Sequence, residues 1–193
     1  MKSVTVFCGS SFGNDAAFEA TAEELGYALA DKKIKLIYGG AKVGLMGTVA
    51  DAVLERGGEV IGLLPKLLMT KEIAHEGLTE LILCESMHER KTKMFERSEG
   101  FIALPGGFGT LEEIIEILTW AQLGLHKYPM CFLNVNGYYD HLNHLFQQME
   151  DSKLLKPENR QMAMFATSVA ELFEKMNNYD PPVVGKWITK EQS

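Results

Sequence analysis

The stretch GFIALPGGFGTLEEIIEILTWAQL, at residues 100–123, joins a short apolar run to a glycine-rich turn and then to a longer amphipathic segment. The first run has the length and apolar character of a buried strand, whereas apolar residues from Leu111 to Leu123 recur at helical spacing. A strand that passes through a tight turn into a helix is one half of a βαβ unit. This stretch therefore predicts a parallel sheet with helices packed against it.

The same alternation extends over most of the chain. Further strand-like runs alternate with segments of helical periodicity, and these runs are nearly continuously apolar, which is typical of a parallel sheet that helices cover on both faces. The predicted fold class is therefore α/β, a single-domain, Rossmann-like, doubly wound parallel sheet with helices on both faces. It is predicted to occupy residues 1–180, with a polar C-terminal tail at 181–193. The other strand runs are 3–7, 35–38, 59–64, 80–84 and 130–135, with a weaker one at 162–165, and the clearest helical segments are 16–32, 111–123, 139–151 and 169–176.

Composition limits the classes of function. At 193 residues the chain suits about one domain, and 46% hydrophobic with 23% charged residues are typical of a globular protein with one sizeable core. The formal net charge of -7 disfavours a nucleic-acid partner. The sequence has no apolar run of membrane-spanning length and no export signal, so we expect a cytoplasmic protein without a membrane partner.

Cysteine and histidine patterns do not indicate a metal site. Cys8, Cys84 and Cys131 have no CxxC spacing, which predicts reduced, mostly buried thiols rather than disulfides or thiolate ligands. His141 and His144 would share a helical face, yet no acidic partner at ligand spacing accompanies them. We expect neither a metal nor another cofactor.

Glycine-rich loops follow three of the predicted strands. In an open parallel sheet the ligand site lies at the carboxyl ends of the strands, where such loops meet. Glycine allows close backbone approach, and the first N–H groups of a following helix lack partners, so each loop can cradle an anion. None has the GxxxxGK[ST] pattern of a triphosphate site, and the single phosphate of a nucleoside monophosphate fits better. The loops are Cys8–Ser11, Gly39–Gly47 and Pro105–Thr110.

The segment PGGFGTLEE at Pro105–Glu113 matches the motif PGGxGTxxE, and through it the chain resembles the Lonely Guy (LOG) family. The resemblance implies a cytokinin riboside 5'-monophosphate phosphoribohydrolase, a hydrolase that cleaves the N-glycosidic bond of adenine-type nucleoside 5'-monophosphates and releases free base and ribose 5-phosphate. No motif reports the group on N6 of the base, so AMP and N6-substituted nucleotides stay alternative substrates. The other matching segments, which extend the resemblance over almost all of residues 1–180, are Gly9–Ser11, Gly39–Gly47, Met87–Lys91 and Thr119–Gly124.

The resemblance marks Arg90 and Glu113 as catalytic. Departure of the base builds positive charge on the sugar, and the Glu113 carboxylate can stabilise that charge or activate water. Arg90 does not deprotonate in practice, so we expect it to orient the nucleotide or offset its charge. The proton donor for the leaving base stays open. Substrate-binding residues are predicted to be these two together with Ser10, Ser11, Gly40, Gly44, Glu72, Lys91, Gly107, Phe108, Gly109, Thr110, Leu111, Glu112 and Thr119.

Within this set, the backbone at 107–110 and the Thr110 hydroxyl are expected to hold the 5'-phosphate at a helix N-terminus. Ordinary structural roles compete for other members. Thr110 and Glu113 form a T-x-x-E pattern, which is typical of a capping box, and Lys91 equally fits a solvated helix face. Glu72 and Thr119 could equally be solvated or capping residues.

Two further functions and the assembly complete the predictions. A nucleotide sensor could use the same loops without turnover. Lysine decarboxylation, an older label for the family, needs an electron sink such as pyridoxal phosphate held on a lysine, and no pattern around Lys42, Lys91 or Lys93 marks such a site. We therefore expect the hydrolase, with a small-molecule nucleotide as partner. A homodimer is also expected, because dimers are common in the family and the helix at 111–123 is very apolar.

Overall fold

A computed structural model describes residues 1–69 and 74–183. They contain a seven-stranded sheet in which every strand pairing is parallel, with the order β4-β3-β2-β1-β5-β6-β7. The predicted α/β fold class is confirmed, and the weaker run at 162–165 corresponds to the last strand. The strands are β1 (Ser3–Phe7), β2 (Lys35–Tyr38), β3 (Val60–Pro65), β4 (Glu80–Cys84), β5 (Phe101–Ala103), β6 (Met130–Leu133) and β7 (Ala163–Ala166).

Helices connect the strands and cover both faces of the sheet. Successive residues of a strand point to opposite faces, and in β5 Phe101 and Ala103 enter one core while Ile102 enters the other. Leu25 joins the same core as Ile102, and Met94 joins the core of Phe101. The α-helices that the structure describes are α1 (Ala16–Asp31), α2 (Gly44–Glu55), α3 (Met87–Glu96), α4 (Phe108–Gln122), α5 (Asp140–Asp151), α6 (Pro157–Arg160) and α7 (Val169–Asn177).

The start of α4 differs from the predicted helix. Apolar spacing predicts a helix from Leu111, whereas α4 begins three residues earlier, at Phe108, with Gly107 as its N-cap. Because glycine has no side chain, no side chain caps the first turn, and those N–H groups stay available. The spacing of apolar residues indicates only the helix face that packs on the sheet. It does not indicate where the first turn of α4 begins.

The central strands β1 and β5 are neighbours, although β2, β3 and β4 lie between them in the sequence. The chain therefore winds outward from this point in both directions, and such a switch point opens a crevice at the carboxyl ends of the strands. The loops after the two strands are bonded directly, because the Gly9 N–H donates to the Pro105 carbonyl oxygen at 3.0 Å. Two of the predicted phosphate loops thus meet at one place.

Two predictions concern the C-terminal tail and membrane-spanning segments. Residues 184–193, most of the predicted polar tail, lie outside them. Across residues 1–69 and 74–183, no helix has the length and apolar character needed to cross a membrane.

Candidate active site

A cleft of about 340 Å³ opens at the carboxyl ends of the central strands. Its walls come from the loop after β1, the start of α2, the end of β3, α3 and the first turns of α4. Eight of the predicted site residues line it, namely Ser10, Arg90, Gly107, Phe108, Gly109, Thr110, Glu112 and Glu113. The remaining lining residues are Cys8, Gly9, Met46, Leu64, Leu68 and Met87.

The N-terminus of α4 forms one wall of the cleft. Its first N–H groups lack intrahelical acceptors, and the Phe108 side chain, 93% exposed, leaves the backbone open to the cleft. Gly106 is tightly packed, because a Cβ there would lie 2.1 Å from Thr110 Oγ1 and 3.0 Å from the Gly9 nitrogen. This packing holds the buried Thr110 hydroxyl beside the loop, and the helix dipole adds partial positive charge at the same end. The geometry suits a phosphate group.

The capping box considered for Thr110 and Glu113 is not formed. A capping box needs Thr at the N-cap, but Gly107 holds that position and Thr110 lies inside the first turn. The corresponding arrangement occurs at α3, where Ser86 Oγ accepts from the Glu89 N–H at 3.1 Å and Glu89 Oε2 accepts from the Glu85 N–H at 2.6 Å. The Glu113 side chain therefore does not cap the helix.

Glu113 instead pairs with Arg90 across the cleft. Arg90 Nη1 lies 3.2 Å from Glu113 Oε1, and the two side chains are only 11% and 12% exposed. Arg90 Nε donates to the Leu63 carbonyl oxygen at 3.0 Å, which fixes the guanidinium to the end of β3. Gly39 permits this placement, since a Cβ there would lie 2.7 Å from Arg90 Nη2. The pair is therefore held rigidly by three elements.

Burial raises the pKa of Glu113 above that of an ordinary glutamate, and the negative charge of Glu112 adds to this, while the guanidinium of Arg90 opposes it. The result is a carboxyl group that is harder to ionise than usual but has a cation in contact. Burial also raises the pKa of the Cys8 thiol, which lines the same cleft. Cys8 is therefore a neutral thiol near neutral pH and a poor nucleophile.

Ser11, Gly40 and Gly44 lie beside the cleft rather than in its wall. Ser11 lines a second cavity of about 340 Å³, which shares Gly9, Ser10 and Gly107 with the first. Gly44 has a φ of +55°, and a Cβ there would lie 2.3 Å from the Ser11 nitrogen, so it lets α2 begin directly beneath the serine loop. Gly40 has a φ of +80° and accepts a hydrogen bond from the His75 N–H at its carbonyl oxygen.

Other predicted binding residues have protein partners or different surroundings. Lys91 contacts Glu112 and Glu116 of α4. Leu111 packs against the core that contains Ile117. The exposed Thr119 donates its hydroxyl to the Ile115 carbonyl oxygen at 2.9 Å, within α4. Glu72 lies outside the described residues.

Three residues on the apolar side of the cleft are absent from the sequence-based predictions. Met46, Leu64 and Leu68 line it together with Met87. Their only signal is position, because Leu64 and Leu68 lie at and just after the end of β3, and Met46 lies in the first turn of α2. Gly39, which makes room for Arg90, belongs to the glycine loop after β2.

The chain is similar in sequence to a known protein family and to several of its members. The family described as "possible lysine decarboxylase" matches residues 46–176. The cytokinin riboside 5'-monophosphate phosphoribohydrolase LOG5 of Arabidopsis thaliana is 45% identical over 180 residues, which cover 93% of this chain and 79% of that protein. The probable cytokinin riboside 5'-monophosphate phosphoribohydrolase LOGL1 of Oryza sativa subsp. japonica is 46% identical over 176 residues, covering 91% and 79%.

A likeness to solved structures concerns the fold alone. The molybdenum cofactor carrier protein MCP of Chlamydomonas reinhardtii superposes with a TM-score of 0.66 at 18% sequence identity. The superposition covers 91% of this chain and 95% of that one.

The decarboxylase description implies pyridoxal phosphate on a lysine, and the described residues do not suit it. None of the described residues that line the cleft is a lysine. Burial by itself lowers the pKa of Lys91, but its hydrogen bonds to Glu112 and Glu116 outweigh burial and leave that pKa raised. The hydrogen bond to Glu89 likewise raises the pKa of Lys93. Both amines are held protonated, whereas Schiff-base formation requires the free amine.

Proposed function

This chain belongs to the LOG family of cytokinin riboside 5'-monophosphate phosphoribohydrolases, and from that membership we propose that it hydrolyses the N-glycosidic bond of adenine nucleoside 5'-monophosphates. The base is adenine or an N6-substituted adenine, and the products are the free base and ribose 5-phosphate. The observation that carries the proposal is the buried Arg90–Glu113 pair beside the open N-terminus of α4.

In this proposal the 5'-phosphate binds at the N–H groups of 107–110, with the Thr110 hydroxyl beside it. Ser10, from the loop after β1, closes the same side. The ribose then extends toward Glu113, and the base toward the apolar side chains of Met46, Leu64 and Met87. These side chains suit a purine ring and tolerate an apolar N6 substituent.

The reaction needs charge stabilisation at the sugar. As the C1'–N bond breaks, the base leaves with the electron pair and positive charge develops on the ribose, where the Glu113 carboxylate stabilises it or activates the attacking water. The hydroxyl group of that water bonds to C1'. The remaining proton of the water neutralises the negative charge of the departing base. Arg90 opposes the effect of burial on the pKa of Glu113 and orients its carboxylate, and it contributes no proton of its own.

Incubation of the purified protein with AMP and with isopentenyladenosine monophosphate, without added cofactor, tests the proposal. We expect chromatography to detect free base and ribose 5-phosphate in equal amounts, and the ratio of the two rates gives the preferred base. Saturable nucleotide binding without release of base would contradict hydrolysis and identify a nucleotide sensor.

A homodimer and a cytoplasmic location are further parts of the proposal. Ile115 and Leu118 of α4 are only partly buried, and Phe108 and Met87 are exposed at the cleft, which supports a partner surface on this side. We expect light scattering to give twice the mass of the 193-residue chain, and the monomer mass at every concentration would contradict the dimer.

Cys8, Cys84 and Cys131 are all free, which supports a reducing compartment.

A further inference from the structure

Three consecutive carbonyl groups in the loop after β5 are each held by a hydrogen bond. The Tyr139 hydroxyl donates to the Leu104 carbonyl oxygen at 2.6 Å, and the Tyr138 hydroxyl donates to the Gly106 carbonyl oxygen at 2.5 Å. Between them, the Pro105 carbonyl oxygen accepts from a backbone N–H of the loop after β1 at 3.0 Å. A partner outside the loop therefore fixes the orientation of each of these peptide groups.

The two tyrosines lie in the connection between β6 and α5, which is itself tied down. Asn134 Oδ1 accepts from the Tyr139 N–H at 2.6 Å, and Asn136 Nδ2 donates to the N-cap carboxylate of α1 at 2.8 Å. The Tyr138 ring meets the rings of Tyr139 and Phe18 edge-on, with centroids 4.9 Å and 5.4 Å away. Both hydroxyl groups are thus presented to the loop by a supported segment.

The hydrogen bond from Tyr138 determines the direction of one N–H group of the proposed phosphate cradle at residues 107–110. The peptide group between Gly106 and Gly107 is planar and trans, so its C=O and N–H point in opposite directions. The Gly106 carbonyl oxygen points to Tyr138, at the wall of the second cavity. The Gly107 N–H therefore points away from Tyr138, and it is at Gly107 that this peptide group reaches the cleft.

The hydrogen bond from Tyr139 orients no such donor. The Leu104 carbonyl belongs to the peptide group whose nitrogen is that of Pro105, and proline has no N–H. Tyr139 is 2% exposed and Tyr138 is 43% exposed. The two adjacent tyrosines therefore make the same kind of contact with different consequences, one for stability and one for the cradle.

Resting on the 5'-phosphate site proposed above, we propose that Tyr138 is a positioning residue for phosphate binding. Its hydroxyl holds the Gly106 carbonyl so that the Gly107 N–H faces the phosphate, and Tyr138 itself does not contact the nucleotide. Without this hydrogen bond the peptide group can rotate, because glycine on both sides allows a wide range of backbone angles. Binding would then have to order a group that Tyr138 holds in place beforehand.

The test uses Tyr138→Phe, which removes the hydroxyl and keeps the ring. Inorganic phosphate is titrated while heteronuclear NMR follows the Gly107 amide. We expect the Kd for phosphate to rise about fivefold and the phosphate-induced shift of this amide to become smaller. KM for AMP should rise by a similar factor with kcat changed less than about twofold, because the phosphate is bound in both ground state and transition state. Adenosine, which has no phosphate, should bind both proteins equally.

Tyr139→Phe is the matched control, because it removes the same hydroxyl group from the next residue. Its melting temperature should fall by several degrees, since the buried Leu104 carbonyl loses its partner, while its Kd for phosphate should match that of the unmodified protein. The melting temperature of Tyr138→Phe should change by less than about two degrees, because water can replace a partner at this exposed position.

Unchanged phosphate affinity in Tyr138→Phe, or an equal loss in Tyr139→Phe, would contradict the inference. An equal loss of affinity for AMP and adenosine would make Tyr138 a contact of the nucleoside, and the inference would again be wrong. The phosphate titration needs no turnover. Absence of base release by the unmodified protein, with the Gly107 response intact, would therefore contradict only the proposed function. A Gly107 amide that did not respond to phosphate would contradict the inference even if base were released.

Discussion

Glu113→Gln is expected to lower kcat for release of the base by about 10³-fold or more. Glutamine has nearly the same shape as glutamate but no negative charge, so it neither stabilises the developing positive charge on the ribose nor activates water. Chromatographic measurement of free base at saturating AMP gives kcat for both proteins. The comparison isolates the charge of one side chain at the centre of the cleft.

The same substitution should leave the protein folded. The glutamine oxygen can still accept from Arg90 Nη1, which lies 3.2 Å from Glu113 Oε1 in the unmodified protein, so the guanidinium keeps a partner. The substitution removes the counter-charge of the Arg90 guanidinium, and the hydrogen bond from Arg90 Nε to the Leu63 carbonyl oxygen limits that cost. We expect the circular-dichroism melting temperature to change by only a few degrees.

Glu112→Gln is the matched control for this variant. Glu112 precedes Glu113 on α4 and has the same chemistry, but its side chain is 56% exposed and it contacts Lys91 rather than Arg90. A roughly tenfold or smaller loss of kcat is expected, because an exposed charge is well screened. Equal losses in the two variants, or turnover by Glu113→Gln at the unmodified rate, would remove Glu113 from the reaction.

Gly44→Ala is expected to lower the free energy of unfolding by at least about 3 kcal/mol. Two effects add at this position. The φ of +55° is disfavoured for alanine, and the new Cβ would lie 2.3 Å from the Ser11 nitrogen and 2.4 Å from the Ser10 carbonyl carbon. These contacts are with backbone, so a change of side-chain rotamer cannot relieve them. Urea unfolding followed by circular dichroism measures the loss.

Gly57→Ala separates the two effects. Gly57 also has a positive φ, of +70°, but an added Cβ there would have nothing within 4 Å. Only backbone strain remains, so the expected loss is about 1 kcal/mol. If both variants lost the same amount, the loop at Ser10 and Ser11 would be free to move away from α2, and the close approach of Gly44 would have no energetic importance.

The sequence predicts the layered fold well because each buried strand is a short apolar run. The bounds of β1, β2 and β4 coincide with the predicted runs, and Gly39 and Glu85 directly follow the last two of these strands. The start of α4 is less predictable. Its first turn contains Phe108, Gly109 and Thr110, which have weak helical preference, so local sequence does not mark where the helix begins.

The candidate site also has a part that the sequence predicts and a part that it does not. The glycine motif and Arg90 identify the polar side of the cleft from sequence, because phosphate and charge chemistry restrict the residue types. The apolar side is not recognisable from sequence, because Leu64 and Leu68 resemble any other core residue. Only the strand order shows that they lie at the cleft. Lys91 is next to Arg90 in the sequence, and only the helix geometry separates their surroundings.

The position of β1 between β2 and β5 also governs when a newly made chain acquires its cleft. Phe7 pairs with Ala103, far along the chain, and the Gly9–Pro105 bond joins the loops beyond them. During synthesis β1 can pair with β2 early, but its other edge stays open until β5 has emerged. Such distant pairing is slow to form, so we expect the sheet centre and the phosphate cradle to be completed late in folding.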